Sequence, residues 1–86
     1  MRFLRTKGFT KAVARLTNRQ VDALDAALAL YEQDRRHPTL RDHALKGAMK
    51  GLRSFSAGWD LRVIYREEGG FITVILVDVG SHNQVY

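Results

Sequence analysis

Two runs of β-branched and aromatic residues, Leu61-Arg62-Val63-Ile64-Tyr65-Arg66 and Phe71-Ile72-Thr73-Val74-Ile75-Leu76-Val77, are separated by only Glu67-Glu68-Gly69-Gly70. Such residues favour strands, and Gly-Gly supplies the positive φ angles that a tight reversal needs, so the two runs pair as an antiparallel hairpin. The second run is apolar on both faces, which predicts an interior strand. A sheet built on that hairpin must be covered on at least one side, and the covering elements have to come from the first half of the chain.

That half carries helical spacing. Phe3-Leu4 starts an extended segment that Gly8 interrupts, and Phe9, Val13 and Leu16 then recur on one face of a short helix. Thr17-Asn18-Arg19-Gln20 matches a capping box, in which a Thr hydroxyl and a Gln side chain satisfy the free amides of a new helix start. Val21, Leu24, Leu28 and Tyr31 form the apolar stripe of this second helix, which ends near Asp34. Pro38 forbids its continuation and disfavours a helical conformation at His37, so His37 to Arg41 is a loop. Gly47 and Gly51 flank Ala48-Met49-Lys50 and predict a turn into an extended segment, Leu52 to Ser56. The expected architecture is α+β: a small antiparallel sheet of three or four strands with two N-terminal helices on one face, forming one domain over residues 1–86.

No cysteine is present, so neither disulfides nor a thiolate zinc site support the fold. Hydrophobic residues make up 45% and charged residues 27%, which is apolar enough for a packed core. No run approaches the roughly 18 apolar residues of a membrane span, and Met1-Arg2-Phe3-Leu4-Arg5 lacks the apolar stretch of a signal peptide. A cytoplasmic protein with no membrane partner is expected. A Gly-rich phosphate loop, a paired-carboxylate metal site and a serine-nucleophile motif are all missing, so no metal or cofactor is expected either.

Lys and Arg number 14 against 9 Asp and Glu, for a net charge of +5. That balance suits a polyanionic partner, an acidic protein, or both. Arg2, Arg5, Lys7, Lys11, Arg15 and Arg19 precede the first acid, Asp22, while Lys46, Lys50, Arg53, Arg62 and Arg66 recur later. Alternation places Leu61, Val63 and Tyr65 on one side of their strand and Arg62, Ile64 and Arg66 on the other. In the neighbouring strand Arg53 shares a face with Phe55. Arginines beside aromatics suit RNA, whose phosphates take guanidinium forks and whose unpaired bases stack on flat side chains.

Of the three histidines, His37 is an ordinary loop residue, whereas His43 and His82 fall at element ends, where catalytic groups reach substrate without disturbing a core. A histidine pair can run phosphodiester cleavage because imidazole titrates near neutrality: one ring takes the ribose 2'-hydroxyl proton and the other protonates the leaving 5'-oxygen. Trp59 is read as an anchor at the start of a strand, Asp78 as a local hydrogen-bond acceptor and Met49 as packing.

Three segments carry a family resemblance. Asp42-His43-Ala44-Leu45-Lys46-Gly47-Ala48-Met49-Lys50-Gly51-Leu52-Arg53, then Trp59-Asp60-Leu61-Arg62-Val63-Ile64-Tyr65, then Val79-Gly80-Ser81-His82-Asn83-Gln84-Val85-Tyr86 resemble the YafQ branch of the RelE/ParE toxin superfamily. Its pattern is approximately His-x-Leu-x-Gly-x-x-x-Gly-x-Arg, an Asp before an Ile-Tyr strand, and a Gly-Thr-His ending followed by an aromatic. The likeness covers about half the chain, and the first half agrees in layout.

The resemblance implies a RelE-like fold and the toxin of a type II toxin-antitoxin system, a metal-independent endoribonuclease that cuts ribosome-bound messenger RNA and is neutralised by a cognate antitoxin. It implies that His43, Asp60 and His82 do the acid-base work, that Tyr86 packs against or orients a base, and that Arg53 binds the scissile phosphate. Lys46 and Lys50 would hold neighbouring phosphates, with Arg62 also binding substrate. A second histidine of the family pattern aligns with Ser56, which cannot carry protons at neutral pH. The alternatives are a non-enzymatic ParE-like toxin acting on a topoisomerase, for which His43 and His82 would be dispensable, and an RNA-binding module without cleavage.

Overall fold

A computed structural model describes residues 1–70 and 73–86. The order of elements is β1 (Arg2–Arg5), α1 (Lys7–Val13), α2 (Asn18–Gln33), a 3-10 turn at Pro38–Leu40, β2 (His43–Ala44), a second 3-10 turn at Gly47–Met49, β3 (Arg53–Ser56), β4 (Arg62–Glu68), β5 (Thr73–Gly80) and α3 (His82–Val85). Thr17 caps α2 as expected: its Oγ1 accepts from Gln20 N at 3.1 Å and Gln20 Oε1 accepts from Thr17 N at 2.9 Å. Thr6 caps α1, which the sequence did not announce. Its hydroxyl accepts from Phe9 N at 3.1 Å and donates to the Val77 carbonyl at 3.0 Å, pinning the helix start to β5.

The class is α+β, but the sheet is mixed and five-stranded, in the order β1-β5-β4-β3-β2. β2 to β5 form an antiparallel meander, whereas β1 joins the free edge of β5 in parallel, with Arg2 opposite Thr73 and Arg5 opposite Leu76. The expectation of a purely antiparallel sheet fails at β1 because the last strand of the meander runs in the same direction as the first strand of the chain. The hairpin is present, with Glu68 opposite Thr73 and positive φ at Gly69 and Gly70, 61° and 62°. That its second strand begins at Phe71-Ile72 lies outside the described residues. β5 is interior, as its two-sided apolarity requires.

The core lies between the helices and one face of the sheet. Phe9 of α1 and Leu24, Ala27 and Tyr31 of α2 cover Phe55, Val63, Tyr65, Val74, Leu76 and Val79. Tyr31 stacks on Phe55 with centroids 5.0 Å apart and meets Tyr65 edge-on at 5.3 Å. Each large side chain buried there contributes about 1.5–3 kcal/mol, which must replace any covalent staple. The register shifts between Ile64, opposite Asp78, and Tyr65, opposite Leu76, so Val77 is an extra residue in β5. No helix of the described residues is long and apolar enough to cross a membrane.

Candidate active site on the open face of the sheet

Strand alternation sends Ser54 and Ser56 of β3, and Arg62 and Ile64 of β4, to the face away from the two long helices. The register extends these into rows: His43, Ser54, Ile64 and Asp78 lie side by side, as do Ser56, Arg62 and Gly80. After Gly80 the chain folds back as α3. Gly80 leaves room for that reversal: a Cβ there would come within 2.9 Å of Gln84 Oε1, the atom that accepts from Ser81 N at 2.8 Å, so the Gln84 side chain would have to shift. The reversal carries the C-terminal aromatic over the open face, where Tyr86 Oη donates to the fully buried Ser54 Oγ at 2.6 Å. The His82 ring packs edge-on against Tyr86, with centroids 4.6 Å apart.

His43 and His82, 39 positions apart, thus sit on one face with Ser54 and Tyr86 between them. Both rings are exposed. The His43 Nδ1 lies 2.9 Å from the Arg41 carbonyl, which can only accept. In the neutral ring the proton therefore sits on Nδ1, and the Nε2 lone pair is left for substrate.

Arg53 is not part of this arrangement. It lies opposite Tyr65 on the helix-covered face, where its guanidinium pairs with Asp42 at 3.1 Å and its Nε donates to Tyr65 Oη at 3.3 Å. Tyr65 Oη donates in turn to the other Asp42 oxygen. Burial opposes the Arg53 charge, but the Asp42 and Tyr65 partners outweigh it and hold the guanidinium more firmly protonated than a free one. Burial first, then the bond to Asp42, pushes the Tyr65 phenol well above its ordinary range. The structure therefore does not bring Arg53 together with the histidines. The alternation that puts Phe55 in the core puts Arg53 on the same side. Arg62, half-buried opposite Ser56, lies on the histidine face, with Arg66 farther along the same side of β4.

Asp60 is exposed in the bend between β3 and β4, at the Arg62 end of the open face, and no hydrogen bond ties it to either histidine among the described residues. Lys46 and Lys50 are exposed on either side of the Gly47–Met49 turn. Asp78 Oδ1 accepts from Val79 N at 2.8 Å, the local role expected of it. Trp59 does not anchor a strand: it is 96% exposed, after a residue, Gly58, at φ +87°. It walls a cleft of about 530 Å³ with Arg41, Ser56 and Arg62. His37 is not a bare loop residue, since its Nδ1 accepts from Thr39 N at 3.2 Å and caps the Pro38–Leu40 turn. The residues overlooked in the sequence are Ser54 and the helix that brings Tyr86 to it. Ser81-His82-Asn83-Gln84 has the same spacing as the Thr17 capping box, and that was the available signal.

Comparison with solved structures defines the class first. Escherichia coli YafQ superposes with a TM-score of 0.82 at 19% identity, covering 100% of this chain and 99% of that one. YafQ in the E. coli DinJ-YafQ complex gives 0.76 at 19% over 100% and 99%. A YoeB/ParE toxin from Agrobacterium tumefaciens also gives 0.76 at 19%, over 95% and 99%. No curated protein matches the sequence itself. The fold is that of these small toxins. A family model for the bacterial toxin of type II toxin-antitoxin systems, YafQ, matches residues 1–86, and the chain belongs to that family.

Proposed function

We propose that this toxin is a metal-independent endoribonuclease that cleaves messenger RNA on the ribosome, stops translation in the cytoplasm, and is held in check by a cognate antitoxin. The observation that carries the reading is the placement of two exposed imidazoles on one face, one with its tautomer set by a backbone carbonyl and the other braced by Tyr86. His43 Nε2 takes the proton of a ribose 2'-hydroxyl as the 2'-oxygen attacks phosphorus. His82, protonated, gives its proton to the departing 5'-oxygen, and the products are a 2',3'-cyclic phosphate and a 5'-hydroxyl. Arg62 neutralises charge gathering on the phosphoryl oxygens, the task the resemblance implied for Arg53. Asp60, at the same end of the face, assists the acid-base work, and Lys46 and Lys50 hold phosphates along the strand. Tyr86 acts as a positioning residue for His82.

Antitoxin control is supported by the solved DinJ-YafQ complex of E. coli, a relative that shares the fold. The test is cleavage of ribosome-bound message by purified protein. Removal of either histidine should slow it by roughly a hundredfold or more, with cyclic-phosphate ends in the wild-type product. Wild-type rates in both histidine-to-alanine variants would refute the mechanism. Arrest of growth with intact message and a blocked topoisomerase would favour the ParE-like alternative.

A further inference from the structure

Arg41 separates two depressions. On one side is the cleft shared with Trp59 and Arg62 beside the open face. On the other is a cleft of about 500 Å³ walled by Arg35, Arg36, His37 and Arg41, with the Arg53 and Asp42 pair at one side. Arg41 holds a φ of 51°, the one positive φ at a non-glycine position among the described residues, and its carbonyl accepts from His43 Nδ1. The two depressions therefore meet at the residue that also holds a candidate catalytic ring. Asp42 is the one carboxylate among the described lining residues, and it is consumed by Arg53 and Tyr65. His37 Nδ1 is taken by the Thr39 amide, so its neutral ring presents an N–H at Nε2 rather than a lone pair.

We propose that this arginine cleft binds the phosphodiester backbone of single-stranded RNA, holding nucleotides that flank the one cleaved on the open face. The proposal rests on the RNA-cleavage reading and extends it to a second surface. Guanidinium forks match phosphate oxygens, and backbone binding is driven by charge and counterion release, which need no apolar contact. Apart from Pro38 the cleft has no apolar wall among the described residues, so an inhibitory protein would find no anchor there. Apolar lining is found instead in a separate groove formed by Ala23, Ala27, Leu30 and Leu40.

The experiment measures RNA affinity in the non-cleaving His82→Ala protein, using a trinucleotide and a strand of about twelve nucleotides with the same centre. Arg36→Ala and Arg36→Gln are compared with the parent; Arg41 is left intact because it also lines the open-face cleft and holds the His43 ring. Each should weaken the long strand roughly three- to tenfold at about 0.1 M salt and make its log-log salt dependence shallower by about 0.7, leaving the trinucleotide unchanged. Equal losses at both lengths, or no loss at either, would overturn the proposal. So would unchanged RNA binding with a weakened antitoxin complex, which would assign the cleft to the protein partner. If His82→Ala still cuts RNA at the wild-type rate, the acid-base reading fails while the length comparison still decides the cleft. A wild type that binds RNA of neither length would end both.

Discussion

The two faces of strand β3 use their polar residues in opposite ways. On the helix-covered face Arg53 is locked to Asp42 and Tyr65, each of the three satisfied by the others at the margin of the aromatic core. On the open face Ser54 bonds to Tyr86, Ser56 faces Arg62, and His43 is tied through Nδ1 to the Arg41 carbonyl. A charge at the edge of a core is tolerated where it is paired, as Arg53 is with Asp42 and Tyr65. The proposed chemistry is therefore assigned to the face where pairing is incomplete, even though Arg53 is the more conspicuous residue in the sequence.

The largest stability effect should come from the covered face. Asp42→Ala leaves Arg53 and the Tyr65 hydroxyl without their acceptor. Because Arg53 keeps some access to water, the cost should be about 2–3 kcal/mol, below that of a fully enclosed pair. In a domain of this size that lowers the unfolding temperature by roughly 10–20 °C, readable by calorimetry. An unchanged melting temperature would mean that the pair is ornamental.

Next in size is the brace on the open face. Ser54→Ala should cost only about 1 kcal/mol, since one neutral hydrogen bond is lost. It should nevertheless slow cleavage about tenfold, because His82 is held through Tyr86 and small misplacements of a catalytic group are expensive. Tyr86→Phe, which keeps the ring against His82, should do the same, and the double variant should be no worse than either single one. Additive losses would show that the two residues act separately.

The smallest effect concerns alkaline pH. The folded state raises the Tyr65 phenol above its ordinary value of 10.0, chiefly through burial. A group with a raised folded value contributes stability that is fully present below that ordinary value and lost as pH rises beyond it. Denaturant midpoints should therefore fall above about pH 10, and Tyr65→Phe should lessen the fall while lowering stability near neutrality by about 1 kcal/mol. Parallel pH curves for the two proteins would remove Tyr65 from the account.

Much of this comparison is legible in the chain itself. Period-two alternation groups Arg53 with Phe55 and Arg62 with Ile64 within their strands, while it takes the register, Arg53 opposite Tyr65 and Ser56 opposite Arg62, to put the two groups on opposite faces; the hairpin and the Thr17 cap follow from local chemistry. The family pattern argued the other way for Arg53, because a motif records which residues recur and not which face each occupies. What alternation cannot supply is pairing between distant segments. Four residues of β1 carry no mark of a parallel partner more than sixty positions on, and β2 is only two residues long. The meeting of Tyr86 with Ser54 depended on α3, whose four residues are too few for a periodic signal.

The central claim is that the open face reacts while the covered face supports, and one side-by-side measurement addresses it. Single-turnover cleavage of saturating RNA is compared for His82→Ala and Arg53→Ala, each well below its own unfolding temperature. The account predicts an unshifted melt and at least a roughly hundredfold slower cut for His82→Ala. For Arg53→Ala it predicts a clearly lowered melt with a cut within about threefold of wild type. A slow cut by folded Arg53→Ala with a normal rate for His82→Ala would contradict it.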